Sequence, residues 1–282
     1  LLTAVMLWGY GLYKCLCPFF PACDHGAEVF DLVRGPLDPR FLAALAALLA
    51  LLLGGLLSCR RRPLLALAAG AFLGFSVLVS NVPRAIGTSF AERLYYAPSL
   101  GLAFLLAQAW PALARRDLAA RLGLLLLALY LVANAGLLLE RGPVFRDDRT
   151  LFLNDVALQP RSVHLNQNTA QILAREGDLE RALAHARRAV ALAPDYGPIY
   201  IDLADILAAA GALEEAAAAC RSGLAASHLR PAVDDVYLHT RLGVLLGRLE
   251  RYPEALGHFE AAIAARPEAR DPRLFLLDIA WK

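Results

Sequence analysis

Along the first half of the chain, apolar positions run together instead of recurring with a period. Four stretches hold no charged residue: Phe41 to Cys59, Pro63 to Pro83, Leu94 to Ala114 and Leu122 to Leu139. A helix needs about 20 apolar residues to cross the ~30 Å hydrocarbon core of a bilayer, so each stretch predicts a transmembrane helix. A further apolar run, Leu1 to about Phe20, is interrupted by Lys14. Its uninterrupted part, Leu1 to Tyr13, is short for a full span, and Lys14 could snorkel to an interface from a partial or tilted one. The chain opens on Leu1-Leu2 with no initiator Met, which reads as an N-terminally truncated fragment. Neither a basic start nor a small-residue cleavage site marks a secretory signal.

After Glu140-Arg141-Gly142-Pro143 the pattern changes, with charges every few residues and no further long apolar run. Here the pattern repeats. Ala170, Gly177, Ala182, Ala189 and Pro194 recur 34 residues on as Ala204, Gly211, Ala216, Gly223 and His228. A third copy, with Leu242-Gly243, Ala255, Phe259, Ala262 and Pro267, follows after about five extra residues around Pro231 to Asp235. Period 34 predicts tetratricopeptide repeats, at about 163–196, 197–230 and 236–269. Ala170, Ala182 and Ala189 are small enough for paired helices to approach closely, while Leu173, Leu192 and Leu207 fill the gaps. Pro194 and Pro267 end the second helices of their repeats. The tail Asp271 to Lys282 begins a further helix or cap.

The expected fold is therefore all-α: a polytopic transmembrane helical domain, 1–141, followed by a tetratricopeptide α-solenoid, 142–282. Composition agrees, since 58% apolar residues and a mean hydropathy of +0.49 need a bilayer to solvate part of the chain. Net charge is only +2 and the Arg residues are scattered, which excludes a nucleic-acid interface. Basic residues are Arg throughout except Lys14 and Lys282, a bias that points to a high-GC, bacterial genome. Arg60-Arg61-Arg62, and Arg115-Arg116 with Arg121, sit in very short loops that should stay cytoplasmic. The other loops and the repeats then lie outside, on the periplasmic side of a bacterial inner membrane.

Chemistry has few candidates. The loop from Asn81 to Arg84 and on through Ser89 to Gly101 places Arg84, Glu92, Arg93, Tyr95 and Tyr96 at the outer mouth of a span. Arg could pair with a lipid phosphate through its planar fork, and the tyrosines could pack on sugar or isoprenoid. Equally, Glu92 and Arg93 could pair with each other while the tyrosines form an aromatic belt. Asp147-Asp148 and Asp234-Asp235 precede helical runs and read as caps. Cys15, Cys17, Cys23 and His25 fit no zinc spacing, so no metal is expected. A Cys17–Cys23 disulfide is the weaker alternative to unpaired apolar cysteines. The histidines of the repeats, at 164, 185, 228, 239 and 258, are scattered and read as surface or groove residues. On the first-helix face that lines a repeat groove stand His164, Gln167, Gln171, Arg175, Asp205, Tyr237 and Arg248, where a peptide could hydrogen-bond; a merely solvated polar face is the equal alternative.

The loop Ala91 to Gly101 resembles the Ala-Glu-Arg-x-x-Tyr-x-Pro-Ser-x-Gly signature of the transmembrane and tetratricopeptide-repeat-containing protein O-mannosyltransferases. Leu7 to Phe30, with Pro18-Phe19-Phe20 and Asp24, is similar to a segment that in this family ends Pro-x-x-Leu-x-x-Asp-Tyr, with His25 in place of Tyr. Val144 to Phe152 resembles the link from last span to first repeat, with Phe145 where Trp is common. The resemblance covers nearly the whole chain in the right order.

It implies a multi-span glycosyltransferase that moves a sugar, typically mannose, from a polyprenyl-phosphate donor to Ser or Thr of proteins on the outer face, with the repeats holding the acceptor or a partner. The family's catalytic acid lies in a first outer loop that has no counterpart here, so no catalytic residue is assigned and the chain alone is expected to be inactive. The competing reading is a membrane-anchored repeat scaffold without catalysis. A transporter is weaker, because no charge interrupts the four spans.

Overall fold

The structure is a computed structural model that describes residues 1–16, 30–80, 82–83, 92–114, 117–227, 234–267 and 272. Its described elements are helical, and they cluster into two compact units, Leu1–Gln159 and Pro160–Lys282.

In the first unit the apolar stretches become helices α1 (Leu2–Leu16), α2 (Pro39–Ser58), α3 (Pro63–Leu78), α4 (Tyr96–Ala114) and α5 (Asp117–Arg141). Local chemistry sets the starts. Asp38 caps α2 by accepting from the Arg40 N–H at 2.9 Å, and Pro39 and Pro63 open α2 and α3, where a missing N–H costs nothing. Contacts run from α1 to α2, α2 to α3 and α3 to α4. At the centre lies α3, with Ala68, Ala69, Phe72 and Ser76 fully buried. Trp8 of α1 donates to the Ser76 hydroxyl at 2.7 Å, which satisfies both polar groups inside the unit. Small residues permit this closeness: a Cβ on Gly101 would run into the Phe72 backbone, and one on Gly9 into Ala44.

Two of the four predicted spans meet the length and apolarity needed to cross a membrane among the described residues, at Pro39–Ser58 and at Ala120–Arg146. The 16 residues of α3 give about 24 Å of helix, short of the ~30 Å hydrocarbon core. Helix α4, at 19 residues, is about 28 Å long. On α5, Leu122, Leu124 to Leu127, Leu129 and Leu131 are all exposed. A helix apolar on every side, with its leucines exposed, is not solvated well by water.

Helix α6 (Asp148–Leu158) is capped by Asp147, which accepts from the Thr150 N–H at 2.7 Å, the role expected of that aspartate. Buried Asp155 accepts from Arg141 Nη1 at 2.7 Å, and Phe145 covers the guanidinium at 5.1 Å. That pair ties α6 to the end of α5, which is why the first unit extends to Gln159, past the composition change at Arg141.

The second unit stacks α7 (Val163–Arg175), α8 (Leu179–Leu192), α9 (Pro198–Ala209), α10 (Leu213–Ser227), α11 (Asp234–Arg248) and α12 (Tyr252–Ala265). They pair as α7/α8, α9/α10 and α11/α12, with successive pairs in contact. Ala170, Ala182, Ala189, Ala204, Ala216, Ala255, Phe259 and Ala262 are all buried, as the repeat pattern requires. A Cβ on Gly223 would sit 2.8 Å from Tyr200 Cβ, and one on Gly243 2.8 Å from the Phe259 ring. Burying Phe259 fully contributes about 1.5–3 kcal/mol.

Each first helix ends in the same turn. Gly177 and Gly211 take φ of +84° and +82°, and Glu250 takes +61° at the equivalent place in the third repeat. The N–H of Asp178, Ala212 and Arg251 reaches back to the carbonyls of Leu173, Leu207 and Leu246 at 3.0, 2.9 and 2.9 Å, the paired bonds of a Schellman ending. His228, a repeat position in the sequence, lies outside the described residues.

Candidate functional site

The first helices α7, α9 and α11 lie side by side along the second unit and present its polar face. Gln167 and Gln171, one turn apart on α7, both donate to the Asp202 carboxylate of α9, Gln171 at 2.8 Å. One turn further along α9, Asp205 accepts from Arg241 Nη2 of α11 at 2.8 Å. Burial pushes both carboxyls above the ordinary aspartate range; the two amides oppose this at Asp202, and Arg241 opposes it at Asp205.

Between α9 and α11 lies a groove of about 420 Å³, lined by Asp205, Ala208, Ala209, Arg241, Val244, Leu245 and Arg248. Its volume comes from small side chains, because Ala209 stands where the neighbouring repeats carry Arg175 and Arg248. The arrangement offers an apolar floor, a carboxylate and two guanidinium groups, enough to hold an extended peptide by side-chain hydrogen bonds.

Of the groove residues read from the sequence, the structure brings Asp205 and Arg248 together in this groove and joins Gln167 and Gln171 through Asp202. His164, Arg175 and Tyr237 are exposed and line neither feature. The sequence reading missed Asp202 and Arg241. The signal for both was present: Asn168, Asp202 and Arg241 hold one position of the three repeats, at the 34-residue period plus the five-residue insertion.

In the first unit the signature loop divides. Glu92 to Tyr95 form a 3-10 turn that leads into α4. Arg84 lies outside the described residues, and of Glu92 and Arg93 only the backbone is described. Tyr95 is 5% exposed and packs with Met6, Leu7, Val33 and Phe41; a Cβ on Gly11 would strike its ring. Its ring packs α1 against the start of α4. Tyr96, which takes the Tyr position of the signature, is 80% exposed. Ser99 donates to the Tyr96 carbonyl at 2.6 Å, Pro98 is buried in the first turn, and Gly101 makes the close approach to α3. Much of the motif therefore builds the entry to α4 and leaves Tyr96 on its surface.

Cys17, Cys23 and His25 lie outside the described residues. Cys59 and Cys220 are free thiols, and burial pushes the Cys220 thiol up to about 12, which leaves it protonated and unreactive. Among the described residues no group of three His, Cys, Asp or Glu side chains is placed to hold a metal ion.

Comparison with known proteins bears on both units. A family model described as tetratricopeptide repeat matches residues 173–237. The Drosophila melanogaster protein O-mannosyl-transferase Tmtc3 is 27% identical over 276 residues, 94% of this chain and 26% of the relative. The Mus musculus protein O-mannosyl-transferase TMTC3 is 28% identical over 200 residues, 69% of this chain and 22% of the relative. Among solved structures, YrrB, a tetratricopeptide-repeat protein with an unusual peptide-binding site, superposes with a TM-score of 0.38 at 22% identity, over 44% of this chain and 62% of that chain. This chain spans about a quarter of the length of the curated relatives it matches. The resemblance first carried by Ala91 to Gly101 is thus shown along nearly the whole sequence: this chain is similar to protein O-mannosyltransferases, and its own residues 173–237 match the tetratricopeptide repeat.

Proposed function

We propose that this chain is part of a multi-span membrane glycosyltransferase that transfers a sugar from a polyprenyl-phosphate donor to Ser or Thr hydroxyls of proteins, its repeats binding the acceptor or a partner protein. The observation that carries this is the match to O-mannosyltransferases over 94% of the chain, which runs through the helices as well as the repeats. A scaffold sharing only the repeats would match over the second unit alone, so the anchored-scaffold alternative is not favoured. Exposed apolar α2 and α5 support placement in a bilayer, with the signature loop at a membrane face and the repeats outside the bacterial inner membrane.

In this reading Arg84 and Arg93 face the donor phosphate, Glu92 orients Arg93, and Tyr96 packs on sugar or isoprenoid. The groove of Asp205, Arg241 and Arg248 holds the protein substrate or partner. Activation of the acceptor hydroxyl needs a base, and none is assigned in this chain. The test is sugar transfer from a polyprenyl-phosphate donor to a Ser/Thr peptide by the whole protein in membranes. Arg93→Ala is expected to abolish transfer with insertion intact; transfer at the wild-type rate would remove this residue, and the loop with it, from the donor site.

A further inference from the structure

The helix pairs of the first and third repeats are joined at one register by a polar contact between residues 19 apart. In the first, His185 Nδ1 lies 3.0 Å from Asn166 Oδ1; in the third, His258 Nδ1 lies 3.0 Å from His239 Nδ1. Both members of the third contact stand 73 residues beyond their counterparts in the first.

The two contacts respond differently to protons. Asn166 Nδ2 donates to the Pro160 carbonyl at 3.0 Å and to the Ser162 carbonyl at 2.8 Å. Its Oδ1 is therefore the acceptor, and His185 Nδ1 carries the proton between them. Burial and Arg181 lower the proton affinity of His185 as well, but when His185 is protonated the new proton goes to Nε2 and the contact is kept, so the difference from the third repeat lies in the second proton.

Between His239 and His258 the ring centres lie 5.2 Å apart at an interplanar angle of 31°. With the nitrogens 3.0 Å apart, the bond runs nearly along the line of centres, so one Nδ1–H points into the other ring's lone pair. Lone pairs that face one another in this way share a proton and do not converge on a metal ion. One added proton fits on the outer nitrogen of the donor ring. The next must occupy the lone pair that accepts the bond, leaving two N–H groups opposed.

The surroundings favour few protons. Burial lowers the proton affinity of both rings, and His258 is further lowered by His239 and by Arg221 of α10. Asp235 of α11 and Glu254 of α12 act in the other direction, but Glu254 is shared with Arg221 at 4.0 Å and with Arg251. On α9, which also packs against α11, Asp205 is engaged by Arg241.

We infer that the His239–His258 pair is a proton-sensitive latch, through which acidification loosens α12 from α11 while leaving α7 and α8 joined. The closed pair binds protons less readily than free histidine, whose ordinary value is 6.5. The latch is therefore at full strength above that value and is lost as pH falls below it. Each proton taken up on opening raises the open fraction as much as about tenfold per pH unit. Because α11 also carries Arg241 and Arg248, opening frees one wall of the groove from its packing against α12. That consequence, unlike the latch, rests on the groove being the binding surface.

Hydrogen exchange of the full chain in lipid nanodiscs, at about pH 7.5 and about pH 5.5 and corrected for intrinsic rates, tests the latch without any ligand. Opening of α11 and α12 is expected to rise roughly tenfold more than that of α7 and α8. An equal response in the two pairs overturns the proposal. His239→Asn, or His258→Asn if the first variant does not fold, is expected to abolish the excess; an excess that survives overturns it by assigning the response to Asp235 or Glu254. If neither variant folds, the wild-type comparison decides alone.

Discussion

Glu250 shows how a repeat can be locally unfavourable at one residue. The first-helix ending takes the left-handed backbone region in all three repeats, and glycine fills it at Gly177 and Gly211 but not at Glu250. For an L-residue this conformation costs roughly 1–2 kcal/mol. Glu250→Gly should stabilise the third repeat by about 1 kcal/mol, seen as slower hydrogen exchange in α11 and α12, and Gly211→Ala should weaken the second by a similar amount. At Arg141 the burial is ionic: Asp155 is fully buried and Arg141 nearly so. Asp155→Ala leaves a guanidinium without its anion and should cost about 3–5 kcal/mol, measured as exposure of α6 to protease while α7 to α12 stay protected. Such pairings link residues far apart in sequence, so composition could not disclose them. The Asp147 cap, confined to four consecutive residues, was legible.

At the scale of the element, freedom from charge disclosed where helices lie but not how long they are. The uncharged stretch after Pro63 continues to Pro83, yet α3 stops at Leu78 because Ser80 takes over: its hydroxyl donates to the Val77 carbonyl at 2.7 Å and accepts from the Val82 N–H at 3.2 Å. Hydropathy does not register that competition for backbone groups. The repeats were legible for the opposite reason, since small residues at a fixed spacing record helix-to-helix contacts directly. Two predictions belong here. Gly101→Leu forces apart α3 and α4, whose backbones meet at Phe72, and should destabilise the first unit by about 1–3 kcal/mol or more, read from its unfolding in denaturant. Leu127→Arg with Leu131→Arg places two charges midway along α5, where each costs about 2.5–3.5 kcal/mol in a bilayer centre. Loss of α5 from the membrane, followed by cysteine labelling at its ends, is the expected outcome.

For the whole molecule, the order of features mattered more than any one of them. Uncharged helices, the loop Ala91 to Gly101, the link at Val144 to Phe152 and the repeats occur in the order that the resemblance to O-mannosyltransferases implies, and the Drosophila melanogaster relative matches 94% of the chain. Within the candidate site, Asp205 and Arg248 were legible because first-helix positions face the groove. Asp202, Arg241 and the inward turn of Tyr95 depend on which neighbour each side chain meets. The central claim is sugar transfer to protein hydroxyls, and mass spectrometry of Ser- and Thr-containing peptides tests it most directly in cells that make the whole protein and cells that lack it. The account predicts hexose-modified peptides only where the protein is made, and their loss with Arg93→Ala; identical sets of modified peptides in both cells would contradict it.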